Sequence, residues 1–265
     1  MTAALSTVRR RQPVWLFDLD NTLHDASAYV FGALNVSMTD YVQQAAGVDR
    51  ARADELRRHY WRRHGATLPG LVRHHGVKPA HFLRETHQLP ELEATLRAHQ
   101  HDLAALRRLP GRKYVVTNAP TAYARRVLDG LGVAGLFDGL IAIEHMAMFG
   151  QLRPKPDARM LRALAVRLKV APARCVLVED TLVHQKAARR VGMATVWMQR
   201  WLRASAHGPE AGARLHRRPA YVSARIRRLQ VLQRLRLTAA QAPSSTHART
   251  DVRHDPRPAD RRARR

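Results

Sequence analysis

Four short stretches of this 265-residue chain set chemically capable side chains directly after apolar runs or between prolines. Val14-Trp15-Leu16-Phe17 leads into Asp18 and Asp20. Tyr114-Val115-Val116 leads into Thr117 and Asn118, and Cys175-Val176-Leu177-Val178 leads into Glu179 and Asp180. Between the last two, Lys155 stands between Pro154 and Pro156 at the mouth of a helical pattern. A continuous apolar run is the pattern of a strand buried on both faces of a parallel sheet. Ligands of such sheets bind outside the carboxyl ends of the strands. Two carboxylates at i and i+2 repel each other there. A cation resolves the conflict, and hard oxygen ligands suit Mg²⁺. Thr117 and the free N–H groups of the helix after it suit a bound phosphate. Each stretch also has a plainer reading: an acidic turn built on Asp and Asn, a threonine closing a strand, a solvated turn lysine. Taken together they supply an oxygen nucleophile, a metal site, a positive charge for phosphoryl oxygens and a proton shuttle. Phosphoryl transfer needs that combination.

The elements that would hold these residues follow from periodicity. Strand and helix alternate from Tyr114 to Trp197, which predicts a parallel sheet with right-handed crossovers. Strands are expected over 114–118, 140–143, 174–180 and 193–197, and helices over 120–131, 157–168, 187–191 and 223–235. Residues 26–106 show no buried-strand pattern. They predict helices over 27–46, 50–64, 78–87 and 91–106, broken at Gly47, Gly65–Gly70 and Gly76. In the first, Val30, Leu34, Met38, Tyr41 and Val42 recur at helical spacing. The expectation is an α/β, Rossmann-like core over 13–25 and 107–237, with an all-helical cap over 26–106 inserted after the first strand. Residues 1–12 are expected to be a flexible arm. Residues 238–265 are basic, almost without large apolar side chains, and expected to be disordered.

The formal net charge is +25, from 46 Lys and Arg against 21 Asp and Glu. Only Lys78, Lys113, Lys155, Lys169 and Lys186 are lysines, so arginine supplies the excess. The arginines run through the whole chain, without zinc-finger spacing or an RNA-binding aromatic signature. Attraction for anionic substrates is the favoured reading of that charge. Binding to nucleic acid through phosphates is the alternative of a different class. Cys175 is the only cysteine, so no intramolecular disulfide forms, and a reduced, cytoplasmic setting fits. No run approaches 18 apolar residues, so neither a transmembrane helix nor a membrane partner is expected. The first residues lack an apolar stretch of signal-peptide length.

The run Asp18-Leu19-Asp20-Asn21-Thr22, with Thr117, Lys155 and Glu179-Asp180 downstream in that order, resembles the four motifs of the haloacid dehalogenase superfamily of phosphotransferases. The resemblance implies roles residue by residue. Asp18 is the nucleophile that forms an aspartyl-phosphate, and Asp20 is the general acid and then the base for water. Thr117, Asn118 and Lys155 bind the phosphate. Asp18, Asp180 and the Asp20 carbonyl bind Mg²⁺, with Glu179 in support. An acid at position 20 argues against the dehalogenase branch. A finer resemblance is to the pyrimidine 5′-nucleotidase-like branch, carried by DLDNTLHDASA, HYWRRHGATLPGL, FLRETHQL, GRKYVVTNA, RPKPD and VEDT. It implies a phosphatase acting on a small phosphorylated metabolite, a pyrimidine nucleoside 5′-monophosphate first. A sugar-phosphate or phosphoglycolate-type phosphatase, or a phosphomutase, would use the same core. The chain departs from the branch at two places. His24 stands where the branch carries Tyr, which bears on substrate choice. Val183-His184-Gln185 stands where it carries Asn-Leu, which bears on the metal site.

Overall fold

The computed structural model describes residues 12–202 and 217–235. Apart from Gln12, the expected N-terminal arm and basic tail lie outside these residues. Six strands form one sheet: β1 Val14–Phe17, β2 Arg112–Val116, β3 Gly139–Ile141, β6 Cys175–Glu179, β7 Ala194–Met198 and β8 Ala224–Ile226. Their spatial order is β3-β2-β1-β6-β7-β8, and every pairing is parallel. A two-stranded hairpin, β4 Ala147–Met148 and β5 Gln151–Leu152, lies apart from it.

The central strand alternates between two cores, as a strand's period of two requires. Trp15 and Phe17 face a cluster that includes Leu103, Leu106, Tyr123, Val127 and Val178. Val14 and Leu16 face a second cluster with Leu161, Leu164, Leu177 and Ala188. Helices α6 Gln100–Arg108 and α7 Thr121–Gly130 therefore cover one face. Helices α8 Ala158–Arg167 and α9 Leu182–Arg190 cover the other. Each fully buried side chain of this size contributes about 1.5–3 kcal/mol of transfer free energy. Cys175 is completely buried in the second cluster.

No strand interrupts residues 26–106. Helices α1 Val30–Ala46, α2 Arg50–His64, α3 Thr67–His75 and α4 Pro79–Thr86 build a third cluster around Val42, Tyr60, Leu71 and Phe82. The expected break over Gly65–Gly70 is mostly helix. Gly65 ends α2 with a positive φ of 78°, but Gly70 sits inside α3. A Cβ there would lie 2.2 Å from the Tyr60 ring, so this glycine lets two helices touch.

Four other expectations change, the first being the helix expected over 187–191, which runs from Leu182 to Arg190. The helix expected over 91–106 is two, α5 Leu92–Thr95 and α6, joined through Leu96–His99. The helix expected over 223–235 is the edge strand β8 followed by a 3₁₀ turn, Leu229–Arg234. Pairing with β7 captures this stretch, with Val196 opposite Ala224. The third strand stops at Ile141, and Ile143–His145 is a 3₁₀ turn.

Candidate active site

Register decides which chemical groups meet. Phe17 lies opposite Val115 of β2 and Val178 of β6. One residue further on, Asp18 is level with Glu179, and its N–H donates to the Val178 carbonyl at 2.9 Å. The ends of β2 and β6 thus flank the end of β1. Lys155 arrives from the loop before α8. The Asp157 carboxylate caps that helix, accepting from the N–H groups of Arg159 and Met160.

Lys155 is 1% exposed. Its Nζ donates to Asp18 Oδ1 at 2.5 Å and to Glu179 Oε2 at 2.8 Å. Burial disfavours the ammonium, but the two carboxylates outweigh it and hold the lysine charged. Asp18, Glu179 and Asp180 each present a carboxylate oxygen within 4.8 Å of the others. Burial, then Glu179, pushes Asp18 up to about 8, although Lys155 pulls it down. Burial, Glu179 and Asp18 likewise push Asp180 well above the carboxylate range. Glu179 moves the other way. Burial raises it, and Lys155 and His184 together overcome that. Three crowded acids sharing one ammonium remain short of positive charge, and hard oxygen donors in this arrangement fit a divalent cation.

Asp20 lies on the other side of the nucleophile position, its side chain 16% exposed. Its Oδ1 accepts the Tyr123 hydroxyl at 2.6 Å and faces His24 Nε2 at 3.0 Å. His24 is fully buried beneath Asp20. Its ring supports that acid through Nε2. The chain turns away at Asn21, with φ 56°, a left-handed conformation that asparagine tolerates. The Asn21 amide binds Ser27 through both the backbone N–H at 3.1 Å and the hydroxyl at 2.8 Å.

Thr117 and Asn118 take different parts. The Thr117 hydroxyl oxygen accepts the Ala119 N–H at 3.0 Å, which leaves its own proton to donate. The Asn118 side chain grips the Lys155 backbone. Its Nδ2 donates to the Lys155 carbonyl, and its Oδ1 accepts the Lys155 N–H, both at 2.9 Å. Its amide therefore positions the lysine, and the second N–H of Nδ2 is left to donate. His184 Nδ1 lies 3.1 Å from Glu179 Oε2. Gln185 Nε2 donates to the carbonyls of Glu179 at 2.7 Å and Val196 at 3.0 Å, tying β6 to β7. Trp197 Nε1 donates to the Asp180 carbonyl at 2.8 Å.

Sequence reasoning missed Tyr123 and His87. Tyr123 recurs with Val127 on the buried face of α7 and reads as ordinary core. His87 follows α4 and packs edge-on against the Tyr123 ring, centroids 5.9 Å apart. Only the fold brings either within reach of Asp20.

A family profile described as haloacid dehalogenase-like hydrolase matches residues 14–192. The chain belongs to that family. Among relatives of this haloacid dehalogenase-like hydrolase, the plasmid phosphoglycolate phosphatase of Cupriavidus necator is 30% identical over 217 residues. That alignment covers 74% of this chain and 84% of the relative. Phosphate metabolism protein 8 of Saccharomyces cerevisiae is 23% identical over 199 residues, 69% of this chain. The matched part spans 60% of the yeast protein's length. A phosphatase structure of the same family from Thermococcus onnurineus superposes with a TM-score of 0.55 at 21% identity. It covers 84% of this chain and 97% of that one, and the two share the fold.

Proposed function

We propose that the protein is a Mg²⁺-dependent phosphatase that hydrolyses a small phosphomonoester through an aspartyl-phosphate on Asp18. One observation carries the proposal: a buried lysine bridges Asp18 and Glu179 beside a third acid, Asp180, while Asp20 waits at the rim on its own supports. Asp18 Oδ attacks phosphorus, and the bond to the leaving oxygen breaks. Asp20 gives that oxygen its proton. Asp20 then takes a proton from water, whose oxygen attacks the phosphoryl group and releases phosphate and Asp18. Lys155 and the Thr117 hydroxyl neutralise and orient the phosphoryl oxygens. Asp18, the Asp20 carbonyl and Asp180 would hold Mg²⁺, with Glu179 in support. The bound ion would stabilise negative charge on the transferring group.

For the substrate, the name of the Cupriavidus relative supports the phosphoglycolate type, and that of a fructose-1-phosphate phosphatase of Escherichia coli, 35% identical over 82 residues, supports the sugar-phosphate type. The nucleotide reading rests on sequence resemblance alone, and its specificity residue, His24, is buried. The test is phosphate release with Mg²⁺ from 2-phosphoglycolate, hexose phosphates, pyrimidine nucleoside monophosphates and p-nitrophenyl phosphate. The expected result is hydrolysis, fastest on phosphoglycolate or a sugar phosphate. Asp18→Asn should lower kcat by at least about a thousandfold with an unchanged far-ultraviolet spectrum. Comparable turnover in that variant overturns the mechanism. Preference for a pyrimidine nucleotide overturns the substrate assignment.

A further inference from the structure

The catalytic groups leave one large basic feature unused. A cleft of about 1040 Å³ opens between the ends of α2 and α3 and the loop that carries Lys155. Asp18, Asp20 and Asp180 do not line it, and His184, whose ring meets Glu179, marks where it borders the active site. Helix α2 ends in Arg62, Arg63 and His64, and α3 ends in Arg73, His74 and His75. Cations at a helix C-terminus are favourable on their own account. That accounts for each triplet but not for both ends converging on one cleft whose far wall is also basic. On that wall Arg153 and Arg159 share the Asp157 carboxylate at 3.1 and 2.9 Å. Among the described residues, Asp157 is the only acid lining the cleft. Arg62, Arg63 and Arg73 are exposed and have no ion-pair partner among the described residues. The positive field is felt locally. Burial, then Arg63, His74 and Arg73, holds the His64 imidazole below its ordinary range.

The cleft also offers a flat apolar surface. Trp61 lies in its lining with its side chain largely open, at 54% exposure. An exposed indole among unpaired guanidinium groups is the arrangement that stacks a nucleobase while arginines hold its phosphates. Guanidinium forks match phosphate oxygens in bidentate fashion. We propose that this cleft is a second, non-catalytic binding site for a nucleoside polyphosphate. The phosphate chain lies on Arg62, Arg63 and Arg73, and the base lies on Trp61.

The test reads binding and involves no turnover, so it stands or falls separately from the phosphatase reading. The full chain is titrated with the β,γ-methylene analogue of ATP in EDTA and about 0.15 M NaCl. Tryptophan fluorescence and calorimetry follow the titration. Trp15 and Trp197 are buried in the sheet and Trp201 is half-buried outside the cleft, so Trp61 is the tryptophan that reports on the cleft. The expected result is one saturable site with quenching, at least about tenfold tighter than inorganic tripolyphosphate. R62S/R63S/R73S should weaken it at least about tenfold. Trp61→Leu should remove both the quenching and the preference for the nucleotide. R107S/R108S/R227S removes equal charge from exposed positions elsewhere and should change the affinity by less than about twofold. Equal weakening by the two triple variants would reduce the effect to net charge and overturn the proposal. Equal affinity for nucleotide and tripolyphosphate overturns it too. So does binding that Asp18→Asn abolishes and the cleft triple variant retains.

Discussion

At Asp20 a single carboxylate oxygen carries two supports, the Tyr123 hydroxyl at 2.6 Å and His24 Nε2 at 3.0 Å. Burial, and after it Asp20, raises the Tyr123 phenol well above its ordinary value, so it stays a donor. A general acid matters most when the departing oxygen is basic. Tyr123→Phe should therefore lower kcat about tenfold on an alkyl phosphate and hardly change it on p-nitrophenyl phosphate, whose leaving group departs without a proton. Parallel kinetics on the two substrates check this, and an equal loss on both would leave Tyr123 with a packing role only. The acids were legible in the sequence because a charged group ending an apolar strand contradicts its surroundings, and the lysine because prolines brace it on both sides. Tyr123 contradicted nothing. Asn118 was legible as polar, but its partner, the Lys155 backbone, is 37 residues away and becomes visible only once the chain folds.

Among the elements, those with one dominant signal were read correctly. Helix α2 keeps its expected bounds, with Asp49 accepting from the Arg52 N–H at its start and Gly65 at its end. Errors fell where local pattern and tertiary contact compete: Gly70, which packs under Tyr60, and the edge strand β8, claimed by β7. The end of α4 makes a further prediction. Burial lowers His87 from 6.5 to about 4, against the pull of Asp20. Between those values the unfolded chain binds a proton that the folded chain refuses, so stability falls as pH drops from 6.5 towards 4 and levels off below. The loss is at most about 3 kcal/mol, less where the ring still meets water. Urea midpoints measured across that window should fall more steeply for the natural protein than for His87→Phe. Parallel curves would show that His87 titrates freely.

Over the whole molecule, two clusters sandwich the sheet and a third fills the inserted helices. Among the described residues no helix is long and apolar enough to cross a membrane. The sheet holds the chain's only thiol. Cys175 opens β6, the strand that ends in Glu179 and leads to Asp180, and it is fully buried. Burial pushes its thiol up to about 11, although Arg112 and Arg174 pull it down. A thiol so placed reacts with a disulfide reagent only when the central strands part. One labelling event per molecule then acts as a clock for opening of the sheet. Urea should quicken the clock. Mg²⁺ bound to the acids at the end of the same strand should slow it by a factor of 1 + [Mg²⁺]/Kd. Labelling rates against Mg²⁺ concentration would thus report the ion's affinity in a protein that turns nothing over, and rates indifferent to Mg²⁺ would deny those acids the metal.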